Sequence, residues 1–199
     1  MNYPSTHPSL LEKIRQGDEI AWSDFYDRYK GVIRAVGALY RFNEEEQNDL
    51  VQRVMAKFCP QSRRFVYRAG VVRFRTYFAT IIRSEAVDYI RANAARRRAE
   101  ERAAALSGID EDSFARTFLE EWRRAAFAEA LEELRGRVKF KTYQAFQLYG
   151  LQNRPVREVA ELLEISEHQV HVAKSRCTGM LREIVARYDA ADEELELHD

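Results

Sequence analysis

This sequence predicts an all-α fold, arranged as two small helical domains joined by a flexible acidic linker. Three observations lead there. Apolar residues recur at intervals of three and four along most of the chain, and no alternating run persists. Only eight glycines and four prolines punctuate 199 residues, and long stretches are rich in Ala, Leu, Glu and Arg. With hydrophobic residues at 46 % the chain can fill real cores, which argues against wholesale disorder.

The elements follow in order. Thr6 and Pro8 start a short helix through Ile14, and Gly17-Asp18 ends it and caps the next. From Ile20 to Tyr40 the stripe Trp22, Phe25, Tyr29, Ile33, Val36 and Tyr40 marks a long amphipathic helix. "NEEE" (43–46) has capping-box form, with Asn43 as cap and Glu46 three residues on. It opens a helix with Leu50, Val51, Val54, Met55 and Phe58 on one face, which Cys59-Pro60 is expected to stop. Residues 61–73, "QSRRFVYRAGVVR", lose periodicity and read as a basic loop; "FRTYFATIIRSEAVDYIRA" (74–92) resumes a helix. From 92 to 113 large apolar residues are nearly absent, and Ser107-Gly108 followed by acids marks the linker. Periodicity returns at Phe118, Trp122, Phe127 and Leu131. The expected division is a first domain over 1–97, a linker over 98–125, a second domain over 126–188 and an acidic tail over 189–199. Helices are expected at about 126–135 and 139–150, followed by a helix pair from Arg154-Pro155.

Formal net charge is zero, yet the charges are segregated. Residues 1–62 carry −1, 63–98 carry +8, 99–134 carry −6, 135–188 carry +5 and 189–199 carry −6. With a Debye length of about 8 Å in cells, a distant acidic block hardly weakens a basic one. Two cationic modules separated by an anionic connector point to nucleic acid as a partner.

"REVAELLEISEHQVHVAKSRCTGML" (157–181) has the pattern of a helix-turn-helix. Ala160 supplies the small residue where two helices pack closely, Val170 faces back from the second helix, and Val159, Leu162, Leu163 and Ile165 fill the core between them. Ser166 is placed as N-cap. Arg157, Ser166, His168, Gln169, His171, Val172, Lys174, Ser175 and Arg176 are the candidate DNA contacts, since Gln pairs bidentately with adenine while Lys and Arg suit guanine or phosphate. Glu164 stands where many such turns have glycine. A plain helical hairpin with a solvated polar face is the alternative reading of the same stretch.

"AWSDFYDRYKGVIRAVGALY", "NDLVQRVMAKF", "FRTYFATIIRSEAVDYIR", an acidic linker and "PVREVAELLEISEHQVHVAKSRCTGMLRE", in this order, together resemble bacterial RNA polymerase sigma factors, and more narrowly the small two-domain extracytoplasmic-function group. The resemblance covers residues 10–97 and 126–188. It implies that the helix bearing Asp-Leu-x-Gln docks on the clamp helices of the polymerase's largest subunit, with Asp49, Leu50, Gln52, Arg53 and Met55 as candidates. Arg53 stands where relatives usually carry an acid, and core packing is the competing assignment for Leu50 and Met55. The basic loop and following helix resemble the part that opens and reads the minus-ten promoter element. Capturing an unpaired base needs aromatic surfaces and arginines, which Phe65, Tyr67, Arg68, Arg73, Arg75, Tyr77, Arg83, Ser84 and Arg91 would supply. Ser84 replaces an asparagine common in relatives. The linker corresponds to a segment that threads the active-site cleft and RNA exit channel; an ordinary solvated linker is the plainer reading. The helix pair corresponds to the reader of the minus-thirty-five element, where relatives commonly have Lys-Ser-Arg in place of His171, Val172 and Ala173.

The partners implied are core RNA polymerase and promoter DNA, with an anti-sigma protein as a regulator of the kind the family often has. No apolar run approaches the ~20 residues of a membrane span. The start of the chain lacks signal-peptide features, and a cytoplasmic location is expected. Cys59 and Cys177 lack metal-like spacing and read as small buried side chains, and His168 with His171 finds no further ligands nearby. No glycine-rich phosphate loop or nucleophile motif is present, so neither catalysis nor a cofactor or metal is expected. A freestanding helix-turn-helix regulator that binds duplex DNA without polymerase is the alternative function.

Overall fold

The computed structural model describes residues 8–64, 74–92 and 110–194, with side chains placed for most of them, and among these there is no strand. The helices are α1 (Pro8–Arg15), α2 (Glu19–Leu39), α3 (Glu44–Arg64), α4 (Phe74–Ala92), α5 (Glu111–Arg137), α6 (Phe140–Ala145), α7 (Val156–Leu163) and α8 (Glu167–Glu194). A turn of π-helix, Phe146–Leu151, continues α6. The all-α expectation therefore holds. The chain forms two compact units that divide after Ala125, so that α5 contributes its first turns to one and its last turns to the other.

Local signals set most helix ends. Gly17 adopts φ 84°, the left-handed conformation glycine tolerates best, to close α1. The Asp18 carboxylate then accepts the Ile20 and Ala21 amides at 2.9 and 3.0 Å and opens α2. At α3 the capping box forms as predicted: Asn43 Oδ1 accepts the Glu46 amide and Glu46 Oε2 accepts the Asn43 amide, both at 2.9 Å. Pro60 does not stop α3, which runs on to Arg64. The proline forfeits one backbone hydrogen bond there, while Val54, Met55 and Phe58 in the turns before it are held in the core. Residues 61–64 of the expected loop are consequently helical, and 65–73 lie outside the described residues.

The core of the N-terminal unit is aromatic. Phe25, Tyr29, Phe58, Phe74 and Phe78 pack at ring-centroid distances of about 4.7–6.2 Å, in the tilted, stacked and edge-on geometries that π quadrupoles favour. Helix α5 joins this core: Trp122 stacks on Tyr29 at 4.8 Å, and Phe114 and Phe118 are buried beside it. Of the expected acidic linker, 98–109 lie outside the described residues, whereas 110–125 enters and then follows a helix with a buried aromatic stripe and acids on its exposed side.

The C-terminal unit has two smaller cores. Ala130, Leu134, Phe146, Cys177, Leu181 and Ile184 form one; Ala145, Val159, Ala160, Leu163, Val170 and Ala173 form the other. Burial pushes the Cys177 thiol up from its ordinary value. A polar cluster ties α5 to α8: Glu133 accepts from the Tyr188 hydroxyl at 2.7 Å and Arg187 at 2.5 Å, and also pairs with Arg137. Burial pushes the Glu133 carboxyl up, but the hydrogen bonds from Tyr188 and Arg187 and the charges of Arg187 and Arg137 outweigh it and leave it below its ordinary value. Burial, and then Glu133, push the Tyr188 hydroxyl up. Helix α8, at 28 residues, includes residues 189–194 of the expected tail.

Candidate nucleic-acid interface and docking face

On α3 the predicted docking residues separate into two groups. Asp49, Gln52 and Arg53 are exposed, whereas Leu50 and Met55 are buried in the core, because positions three and four apart share the inward face with Val51, Val54 and Phe58. Leu50 and Met55 thus pack inward from α3 and are not on its surface. Arg53 is committed elsewhere in part: its Nε donates to Glu85 Oε2 at 3.1 Å, and its guanidinium lies 5.8 Å from the Tyr89 ring centroid. Lys57, one turn on, donates to Glu85 Oε1 at 2.7 Å and to Ser84 at 3.4 Å. Glu85 is nearly buried on α4, and a buried carboxylate needs paired cations. The cation at position 53 therefore has a partner inside this chain. Neither Lys57 nor Glu85 was among the sequence candidates; the signal available was an acid inside the apolar stripe of 74–92.

Of the candidate minus-ten residues, Phe65, Arg68 and Arg73 lie outside the described residues, as does Tyr67. Arg75, Tyr77, Arg83 and Ser84 are half-buried on α4, and Arg91 is exposed. Burial raises the Tyr77 hydroxyl above its ordinary value. Arg83 donates to Glu111 at 2.7 Å and covers the Phe114 ring at 5.6 Å, so α5 occupies it; the Glu111 hydrogen bond holds its guanidinium above the ordinary value. Ser84 lies between Lys57 and Asp88, each 3.4 Å away. Thr80, Arg83, Ser84, Val87, Asp88 and Arg91, on one face of α4, line a shallow groove.

In the C-terminal unit α7 and α8 form the predicted pair. Glu164 takes φ 53°, ψ 51° in the turn, adopting the left-handed conformation without a glycine. The Ile165 amide donates to Ala160 at 3.1 Å, and Lys141 closes the end of α7 by donating to the Leu163 carbonyl at 3.1 Å. Val159, Ala160, Leu163 and Val170 are buried as expected, but Leu162 is 60 % exposed and Ile165 only partly covered. At eight residues α7 has one inward stripe, and position 162 falls off it.

Ser166 caps α8 reciprocally: its hydroxyl accepts the Gln169 amide at 3.2 Å, and Gln169 Oε1 accepts the Ser166 amide at 2.9 Å. Two candidate base readers are thereby joined in a cap. His168, His171, Val172, Ser175 and Arg176 are exposed and Lys174 is half-buried. Exposed Arg157 pairs with Glu161 at 3.1 Å, a bond a phosphate can replace at little cost. Tyr149, from the π turn, meets both His171 and Lys174; it was not a sequence candidate, because one extra residue in the turn sets its direction.

Among the described residues no helix is long and apolar enough to cross a membrane, and no group of three or more His, Cys, Asp or Glu could hold a metal ion. Residues 25–96 match the family model of Sigma-70 region 2. No curated protein matches the chain. The matched stretch, 72 of the 199 residues, begins within α2 and takes in all of α3 and α4, so this part of the chain is similar to region 2 of sigma-70 factors.

Proposed function

Starting from that region 2 domain, we propose that the chain is a small two-domain sigma factor of the extracytoplasmic-function group, working in the cytoplasm without catalysis or cofactor of its own. It binds core polymerase, directs it to particular promoters and opens DNA at the minus-ten element. The observation that carries this is the match over 25–96, which spans α2 to α4. Exposed Asp49 and Gln52 meet polymerase. Arg75, Tyr77 and Arg91, with the basic stretch before α4, serve the minus-ten strand, and α8 enters the major groove of the minus-thirty-five element. An anti-sigma protein is a regulator of the kind such factors have.

Transcription in vitro by core polymerase plus this chain, mapped to start sites, tests the reading. Co-elution with core enzyme and defined start sites are expected; neither association nor initiation would overturn it. Specific duplex binding without polymerase would favour a freestanding regulator. With about six phosphates neutralised, log affinity of the holoenzyme for promoter DNA should fall with log salt at a slope near −5.

A further inference from the structure

The recognition helix carries a side-chain arrangement that its sequence conceals. Tyr149 Oη lies 3.3 Å from His171 Nδ1, with the two rings edge-on at 5.2 Å and 88°. The Lys174 ammonium sits over the Tyr149 ring, 4.6 Å from its centroid. His171 and Lys174 are one turn apart and share a face of α8, so one phenol ring holds both. The position of Tyr149 depends on the π turn Phe146–Leu151 and on Gly150, where a Cβ would lie 2.8 Å from the Phe146 ring.

A phenol hydroxyl is a good donor and an imidazole nitrogen a good acceptor, which favours a hydrogen bond from Tyr149 to Nδ1. The proton of the neutral ring is then on Nε2, and exposed His171 presents a donor to solvent. Lys174 adds further donors and no acceptor. Gln169, the side chain best suited to adenine's donor–acceptor pair, is engaged in the cap with Ser166.

We infer that Tyr149 is a positioning residue that fixes His171 in the Nε2–H tautomer beside Lys174, so that α8 reads the major-groove edge of a guanine, whose N7 and O6 are both acceptors. This rests on the proposed DNA-reading role of α8. The tautomer, by contrast, is a property of the free protein.

Two measurements on the full chain test it. Long-range nitrogen–proton NMR should find His171 in a single Nε2–H tautomer, and a mixture in Tyr149→Phe, which keeps the ring beneath Lys174 but loses the hydroxyl. A proton on Nδ1 in the unaltered chain would overturn the assignment. Selection from a pool of randomised duplex DNA by the chain with core RNA polymerase should show a guanine preference that falls about five- to tenfold, at one position only, in Tyr149→Phe and His171→Ala. His171→Gln retains a donor near Nε2, and adding Tyr149→Phe to it should change nothing further. Unchanged base preferences in Tyr149→Phe would sink the inference and leave the sigma-factor reading standing. A chain that selects no sequence with core enzyme would sink that reading and the guanine assignment together, whatever the NMR shows.

Discussion

The two units hold their functional faces in different ways. In the N-terminal unit an aromatic core drawn from four helices fixes α3 and α4, and cations on these two helices are tied by residues distant in sequence: Arg53 and Lys57 to Glu85, Arg83 to Glu111. In the C-terminal unit the cores are smaller and mostly aliphatic, with Phe146 the buried ring, and the start of α8 is set within four residues by Ser166 and Gln169. A face fixed by long-range pairs changes when a remote residue is lost. A helix start fixed by local signals, as at Ser166, changes only when its own residues do.

Trp122→Ala is the severest test of that contrast. Removing a buried indole that stacks on Tyr29 should cost about 3–5 kcal/mol, read as faster amide exchange in α2 to α4, with α7 and the start of α8 unchanged. Equal loss in both units would break the comparison. Next comes Glu85→Ala, which leaves Arg53 and Lys57 facing each other without their shared carboxylate. Since both cations are more than a third exposed, the cost should be about 1–2 kcal/mol in chemical unfolding, with weaker core-polymerase binding as the functional sign.

Within the C-terminal unit, Ser166→Ala should cost about 1 kcal/mol and loosen the first turn of α8, seen by exchange of the Gln169 amide. Glu133→Gln should cost a similar amount, about 1 kcal/mol, at neutral pH and change the acid limb. The Glu133 carboxyl is held below its ordinary 4.5, so its stabilisation is complete above that pH and is lost as pH falls through the lower folded value. The glutamine variant should show a flatter decline over that window in pH-resolved melting. The smallest effect is Glu164→Gly, expected to raise stability by about 0.5 kcal/mol by relieving the left-handed backbone.

Much of the local structure was legible in the sequence. The Asn43–Glu46 box, the Asp18 cap, the bounds of α4 and the buried Val170 all follow from patterns spanning fewer than a dozen residues. Pro60 was misread because proline's local cost was weighed without the tertiary packing that holds the preceding turns. Leu162 was placed in the core because apolar character alone does not say which side of a two-turn helix a residue takes. Of the two assignments open for Leu50 and Met55, docking contact or core, the structure gives core, as their spacing with Val51, Val54 and Phe58 already favours. The stripe Phe114, Phe118 and Trp122 sits among acids, so composition marked a linker where the fold uses an aromatic face.

By itself the sequence determined the helical class, the start and stop of most helices, the segregation of charge and the N-terminal motifs that lie within the region 2 match. Only the tertiary structure decided which cations have partners, that α5 packs on the first core, and that Tyr149 reaches His171 and Lys174. Helix signals act over one or two turns and are written in neighbouring residues. A pairing across 22 or 32 positions, such as Tyr149 with His171 or Arg53 with Glu85, depends on how packed helices bring distant side chains together.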